Sequence, residues 1–159
     1  MTVDVNDSPE PSPTDRATEL RLVAMNFLAR REHSAHELQE KLSARCEDLQ
    51  IVKEVVERLM AQGLQSDERF VDSFIRSRCG QGKGPLRILQ ELRHKGVSGQ
   101  LVEQALEAFD ADWGRLARDV RHKRFGSGPP ENLKAKARQL RFLQYRGFTP
   151  DQATAALES

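Results

Sequence analysis

The amino-acid sequence predicts an all-α protein, an elongated tandem array of three three-helix units with about nine helices. Two observations carry that prediction. First, a connector of glycine, an apolar residue and Ser or Thr recurs as Gly96-Val97-Ser98 and Gly147-Phe148-Thr149, with Gly63-Leu64-Gln65-Ser66 as a looser version. The match extends backwards without a gap, Leu89-x-x-Leu92-x-x-x-Gly96 lying on Leu140-x-x-Leu143-x-x-x-Gly147. Second, apolar residues recur at helical spacing along the chain, and no stretch alternates with the period of two that marks a strand. The connector has a physical reason: glycine takes the left-handed conformation after a helix, the apolar residue anchors the turn, and the hydroxyl caps the next helix.

The elements follow in order. Residues 1–16 hold Pro9, Pro11 and Pro13 among serine and acids and are expected to be a disordered acidic tail. A first unit spans 17–65. Leu20, Val23 and Phe27 line its first helix, Ser34-Ala-His-Glu37 is a capping box opening a second, and Ile51, Val55, Val56 and Leu59 mark a third. A second unit spans 66–110, with Phe70, Phe74 and Ile75 inward, Pro85 at a helix start, and Ser98 capping a last helix through Val102. A third spans 111–159. Trp113, Leu116, Ala117, Val120 and Phe125 form one stripe, Leu133, Ala137, Leu140 and Leu143 a second, and Thr149-Pro150-Asp151-Gln152 is another capping box.

Composition narrows the class. No apolar run approaches the ~20 residues of a membrane span, and the start of the chain lacks the pattern of a signal peptide. Cys46 and Cys79 do not make a disulfide framework, so a cytoplasmic setting is expected. The formal net charge of +1 conceals an asymmetry. Residues 1–19 carry Asp4, Asp7, Glu10, Asp15 and Glu19 against Arg16, whereas residues 111–148 carry ten bases against Asp112, Asp119 and Glu131. Such a basic block fits a partner that is nucleic acid or an acidic protein surface.

Several motifs together resemble a known family. Asp67-x-Arg69-Phe70-Val71-x-x-Phe74-Ile75-Arg76-x-Arg78 is followed by Gly84-Pro85-x-Arg87-Ile88-x-x-Glu91-Leu92-x-x-Lys95-Gly96. His33-Ser34 precedes Glu37-Leu38-x-x-Lys41-Leu42, and Lys136-x-x-x-Leu140-x-Phe142-Leu143-x-x-Arg146-Gly147-Phe148 lies near the end. Over residues 17–157 the chain resembles the RecX family, bacterial regulators of the RecA recombinase. That resemblance implies three tandem three-helix units and a monomer that binds the RecA–single-stranded-DNA filament. It implies that recombination, ATP hydrolysis and coprotease activity toward the SOS repressor fall, with consequences for DNA repair. On that resemblance no catalysis is expected, and neither a cofactor nor a membrane partner is expected of the chain.

The candidate partner contacts are basic. Arg76, Arg78, Lys83 and Arg87 surround the second unit's turn, with Arg93 and Lys95 at the next helix end. Arg118, Arg121, Lys123, Arg124, Lys134, Arg138 and Arg141 form a second set, in which Arg118/Arg121 and Arg138/Arg141 are each three apart and so share a helix side. Asp67 and Arg69 read as structural. The alternative is a helical module acting on naked DNA through the basic third unit, where Tyr145 could stack a base while Trp113 reads as core.

Other constellations resemble chemistry without its requirements. His33-x-x-His36 straddles a helix start with no further ligands at usable spacing, so no metal is expected. Cys79 beside Arg76, Arg78 and Lys83 could have a lowered thiol pKa, but no His or Asn partner makes it a nucleophile. Gly80-Gln-Gly-Lys-Gly-Pro85 lacks the Gly-Lys-Ser/Thr ending after a strand that a phosphate loop needs. From the sequence, reversing the charge of Arg121 and Arg124 together should weaken filament binding in a pull-down while the melting temperature stays near wild type.

Overall fold

The structure, a computed structural model, describes residues 9–158. Among these residues it contains nine helices and no strand: α1 (Pro13–Arg30), α2 (Ala35–Ser43), α3 (Leu49–Ala61), α4 (Asp67–Gly80), α5 (Pro85–His94), α6 (Gly99–Ala108), α7 (Trp113–Phe125), α8 (Leu133–Tyr145) and α9 (Pro150–Leu157). They pack as consecutive triplets, α1–α3, α4–α6 and α7–α9. One compact unit ends at Ser66, and a second, holding the other two triplets, begins at Asp67.

In the first unit Leu20 and Ala24 of α1 meet Leu38 and Leu42 of α2 and the Ile51, Val52, Val55, Val56 and Leu59 face of α3. Most of the expected tail, residues 1–8, lies outside the described residues. Its end differs from expectation, because α1 starts at Pro13 rather than near Ala17. Ser12 caps it by accepting from the Asp15 N–H, and Pro13 occupies the first turn, where its missing N–H removes no bond. Pro13, read as part of a disordered tail, therefore opens a helix. The capping box at Ser34 is present in both directions, the Glu37 N–H donating to Ser34 Oγ at 3.0 Å and the Ser34 N–H to Glu37 Oε1 at 3.3 Å.

In the second unit Phe70, Phe74, Ile75, Ile88, Leu92, Val97 and Val102 form one core, and Ala117, Leu143, Phe148, Ala153, Ala156 and Leu157 another. Trp113 packs against both. The glycine of each connector takes the left-handed conformation as expected, and two of the connectors close with the same bond. After the glycine, an N–H donates to the carbonyl five residues earlier, from Leu64 to Leu59 at 3.0 Å and from Phe148 to Leu143 at 3.1 Å. Three details of the sequence expectation fail, one being that Ala137, assigned to the inward stripe of α8, is exposed. Ser98 precedes α6 but its side chain makes no capping bond. Leu133, assigned to an inward stripe, is 83% exposed, because it opens α8 with no preceding turn to pack beneath it.

The turn before α5 and the connector after α8 are docked backbone to backbone. The Gly84 N–H donates to the Arg146 carbonyl and the Leu86 N–H to the Gly147 carbonyl, both at 2.9 Å. Arg146 also donates through Nη2 to the Gln81 carbonyl. A Cβ at Gly84 would stand 2.5 Å from the Gly147 carbonyl oxygen, and one at Gly147 would stand 2.7 Å from the Arg87 nitrogen. Gly147 also has φ +103°, whereas Gly63, at φ +72°, has open space where a Cβ would go. Gly63→Ala should therefore cost about 1 kcal/mol of backbone strain in urea denaturation. Gly147→Ala adds a backbone clash and should cost several-fold more, with Gly84→Ala behaving like it.

Candidate partner-binding surface

The basic residues divide into two classes by what already holds them. In the second triplet three cations converge on one carboxylate. Glu91 on α5 receives Arg78 Nε at 3.1 Å and Lys83 Nζ at 3.0 Å, and Arg87 Nε lies 3.9 Å away. Arg78 also lies over the Phe74 ring, 4.2 Å from its centroid. The turn at Gly82 brings the end of α4 back toward α5, which is how Arg78 reaches a residue thirteen positions on. Partial burial favours the neutral acid, but the bonds and charges of Lys83 and Arg78 outweigh it and hold the Glu91 carboxyl below the usual glutamate value. Arg76 pairs with Asp72 at 3.1 Å on the exposed side of α4. Arg93 is exposed and Lys95 half-buried at the end of α5.

The third triplet is different. Lys123 and Arg124 at the end of α7, and Lys134, Arg138 and Arg141 along α8, are exposed. No carboxylate among the described residues lies within ion-pair distance of any of them. Instead aromatic rings hold two of the arginines, Arg124 and Arg138. Phe125 and Phe142 meet edge to face with centroids 5.3 Å apart. The Arg124 guanidinium is 5.7 Å from one and 5.9 Å from the other, and Arg138 is 5.7 Å from Phe125. A guanidinium over a ring is steadied by the ring's quadrupole and keeps its N–H donors free. Arg118 is half-buried on α7.

Arg121 corrects the sequence reading. Its side chain is fully buried rather than presented outward beside Arg118. Nε donates to Gln139 Oε1 at 2.9 Å and Nη2 to the Gly128 carbonyl, while Nη1 has no protein partner. The charge is thus held by neutral acceptors from α8 and from the loop joining α7 to α8. It lies four residues after the buried Ala117, on the same side of α7, which was the available signal. Glu91, Phe125 and Phe142 were not singled out as parts of a site, because their partners come from other helices.

The apparent chemistry dissolves into structure. His33 is buried, its Nδ1 3.1 Å from the Arg31 carbonyl and its Nε2 3.0 Å from Lys41 Nζ. Burial above all, with the nearby Arg31 and Lys41 charges, pushes its pKa below the usual 6.5. The neutral ring then donates from Nδ1 and accepts at Nε2. His36 pairs with Glu40 at 3.0 Å, and no group of three metal-ligating side chains occurs among the described residues. Burial pushes the Cys79 thiol up, opposite to the activation that its basic neighbours suggested.

Comparison with known proteins follows this architecture triplet by triplet. The family models for the first, second and third three-helix domains of RecX match residues 21–59, 66–106 and 115–157. The chain belongs to the RecX family. Among its relatives, the regulatory protein RecX of Halorhodospira halophila is 46% identical over 137 residues, covering 86% of this chain and 85% of the relative. That of Pseudomonas putida strain F1 is 40% identical over 137 residues, covering 86% and 88%. Two crystal structures share the fold. One of regulatory protein RecX has a TM-score of 0.79 at 20% identity, covering 92% of this chain and 74% of that one. RecX from Lactobacillus salivarius has 0.77 at 19% identity, covering 91% and 96%.

These placements separate two substitutions that the sequence treated alike. Arg121→Glu buries an acid against the Gln139 and Gly128 oxygens and should cost roughly 3–5 kcal/mol in urea denaturation. Arg124→Glu on the exposed end of α7 should stay within about 0.5 kcal/mol of wild type. The Glu91 cluster gives a pH signature. Its folded pKa lies below the unfolded one, so its contribution is present above the ordinary value of 4.5 and is lost as pH falls through the lower folded value. Acid unfolding of Glu91→Gln, followed by circular dichroism, should be less steep over that window.

Proposed function

We propose that this protein regulates a RecA recombinase by binding the RecA–single-stranded-DNA filament, mainly lowering its recombination, ATPase and coprotease activities. The observation that carries the reading is that all three RecX domains match in order along one chain. The surface chemistry supports it. A protein that modulates a nucleoprotein filament needs a face complementary to acidic protein or phosphate, and the exposed cations of the third triplet are not neutralised by carboxylates among the described residues. The second triplet's cations fit a structural part, since Arg78, Lys83 and Arg87 are gathered on Glu91. Contacts from successive triplets would add affinity through multivalency rather than through one deep pocket. On this reading the protein acts in the cytoplasm as a monomer, by binding and without catalysis.

ATP hydrolysis by the cognate recombinase on single-stranded DNA should fall when this protein is titrated below stoichiometric amounts. Unchanged hydrolysis with folded protein, confirmed by circular dichroism, sinks the reading.

A further inference from the structure

Helix α8 carries Lys134, Arg138, Arg141 and Tyr145 at intervals of four, three and four residues. At 3.6 residues per turn these side chains fall within about 60° of one another, in a stripe roughly 16 Å long. The stripe lies opposite the buried Leu143 and Gln139. All four residues are exposed, Tyr145 to 74%, whereas the other aromatic rings of its unit are all buried or half-buried. Beside Tyr145 stands Arg87, its guanidinium 5.3 Å from the ring centroid. Farther along α8, Arg138 stands over Phe125. The stripe thus sets three cations in a row beside one exposed ring, and none of the three has a carboxylate partner among the described residues.

We propose that this stripe is a binding site for single-stranded nucleic acid, with Lys134, Arg138 and Arg141 on backbone phosphates and Tyr145 stacked against a base. Phosphates supply the oxyanions that the unpaired guanidiniums lack. Every base offers a face to an exposed ring, so the site is tolerant of sequence. An unpaired strand fits better than a duplex, whose base faces are hidden in the stack. It also fits better than an acidic protein surface, which would use the cations and leave the ring without a flat partner. This inference is independent of the recombinase reading, because the site requires no second protein.

The test is fluorescence anisotropy with a labelled oligothymidylate and no recombinase present, in parallel with an abasic phosphodiester chain of equal length, a duplex and polyglutamate. The oligothymidylate should bind most tightly. Tyr145→Ala should weaken it roughly five- to a hundredfold, Tyr145→Phe should retain it, and the abasic chain should not register the loss of the ring. Arg138→Gln and Arg141→Gln should each reduce the slope of log affinity against log salt by about 0.7, while Arg76→Gln, already paired with Asp72, should not. Melting temperatures near wild type for these exposed positions keep the comparison clean, and Lys134→Gln supplies a further slope measurement. Failure of the oligothymidylate to bind overturns the proposal, as does equal affinity for the duplex or polyglutamate, or equal loss on the abasic chain. Because the assay contains no recombinase, its failure leaves the ATPase result untouched, and the converse holds.

Discussion

The second and third triplets depend on one junction, where the end of α8 meets the start of α5. A helix that stops leaves carbonyls without partners, and a helix that starts leaves N–H groups without them. Here the two deficits cancel: the Gly84 and Leu86 N–H groups take the Arg146 and Gly147 carbonyls. The negative end of one helix dipole faces the positive end of the other, so the electrostatics favour the same arrangement. Such closeness is open only to backbones without side chains, which accounts for Gly84 and Gly147. It also explains why α5 needs no side-chain cap and why Pro85 can occupy its first turn. Arg146 and Arg87 then brace the contact from either side, toward Gln81 and Tyr145. Two triplets that could have been separate beads become one compact unit by satisfying backbone groups.

Charge is distributed on a similar logic. In the second triplet the cations are drawn into the body by Glu91, where they tie the turn at Gly82 to α5. In the third, rings take the place of the carboxylate. A ring steadies a guanidinium without neutralising it, so the electrostatic field of that surface stays positive. The two triplets share a backbone plan and differ in how their arginines are held. That difference, more than the number of basic residues, distinguishes a face suited to an outside anion from one engaged in holding the fold.

Much of the fold was legible in the sequence because its rules are local. The capping boxes at Ser34 and Thr149 and the glycines after α3, α5 and α8 each act within one turn of helix. What lay hidden depends on distant residues. Arg78 reaches Glu91 only because the intervening turn folds back, and Arg121 is buried because Gln139 and Gly128 arrive from beyond the end of its own helix. Helical spacing placed Arg121 on the side of Ala117, yet its charge argued for solvent. The charge argument failed because three methylenes and a planar head can be buried when neutral oxygens receive its N–H groups. Leu133 shows the reverse: an apolar residue at helical spacing stays exposed when it opens its helix.

The same buried arginine constrains the loop between α7 and α8. Gly126-Ser-Gly-Pro-Pro130 has the composition of a free linker, but its midpoint is moored, since the Gly128 carbonyl accepts from Arg121. A loop fixed at its centre behaves as two short spans, each with its own closure to satisfy. Length changes among relatives should therefore collect between Pro129 and Asn132, on the exposed side of the mooring. The two residues between Phe125 and Gly128 have little slack to lose and should keep their number even where their identities drift.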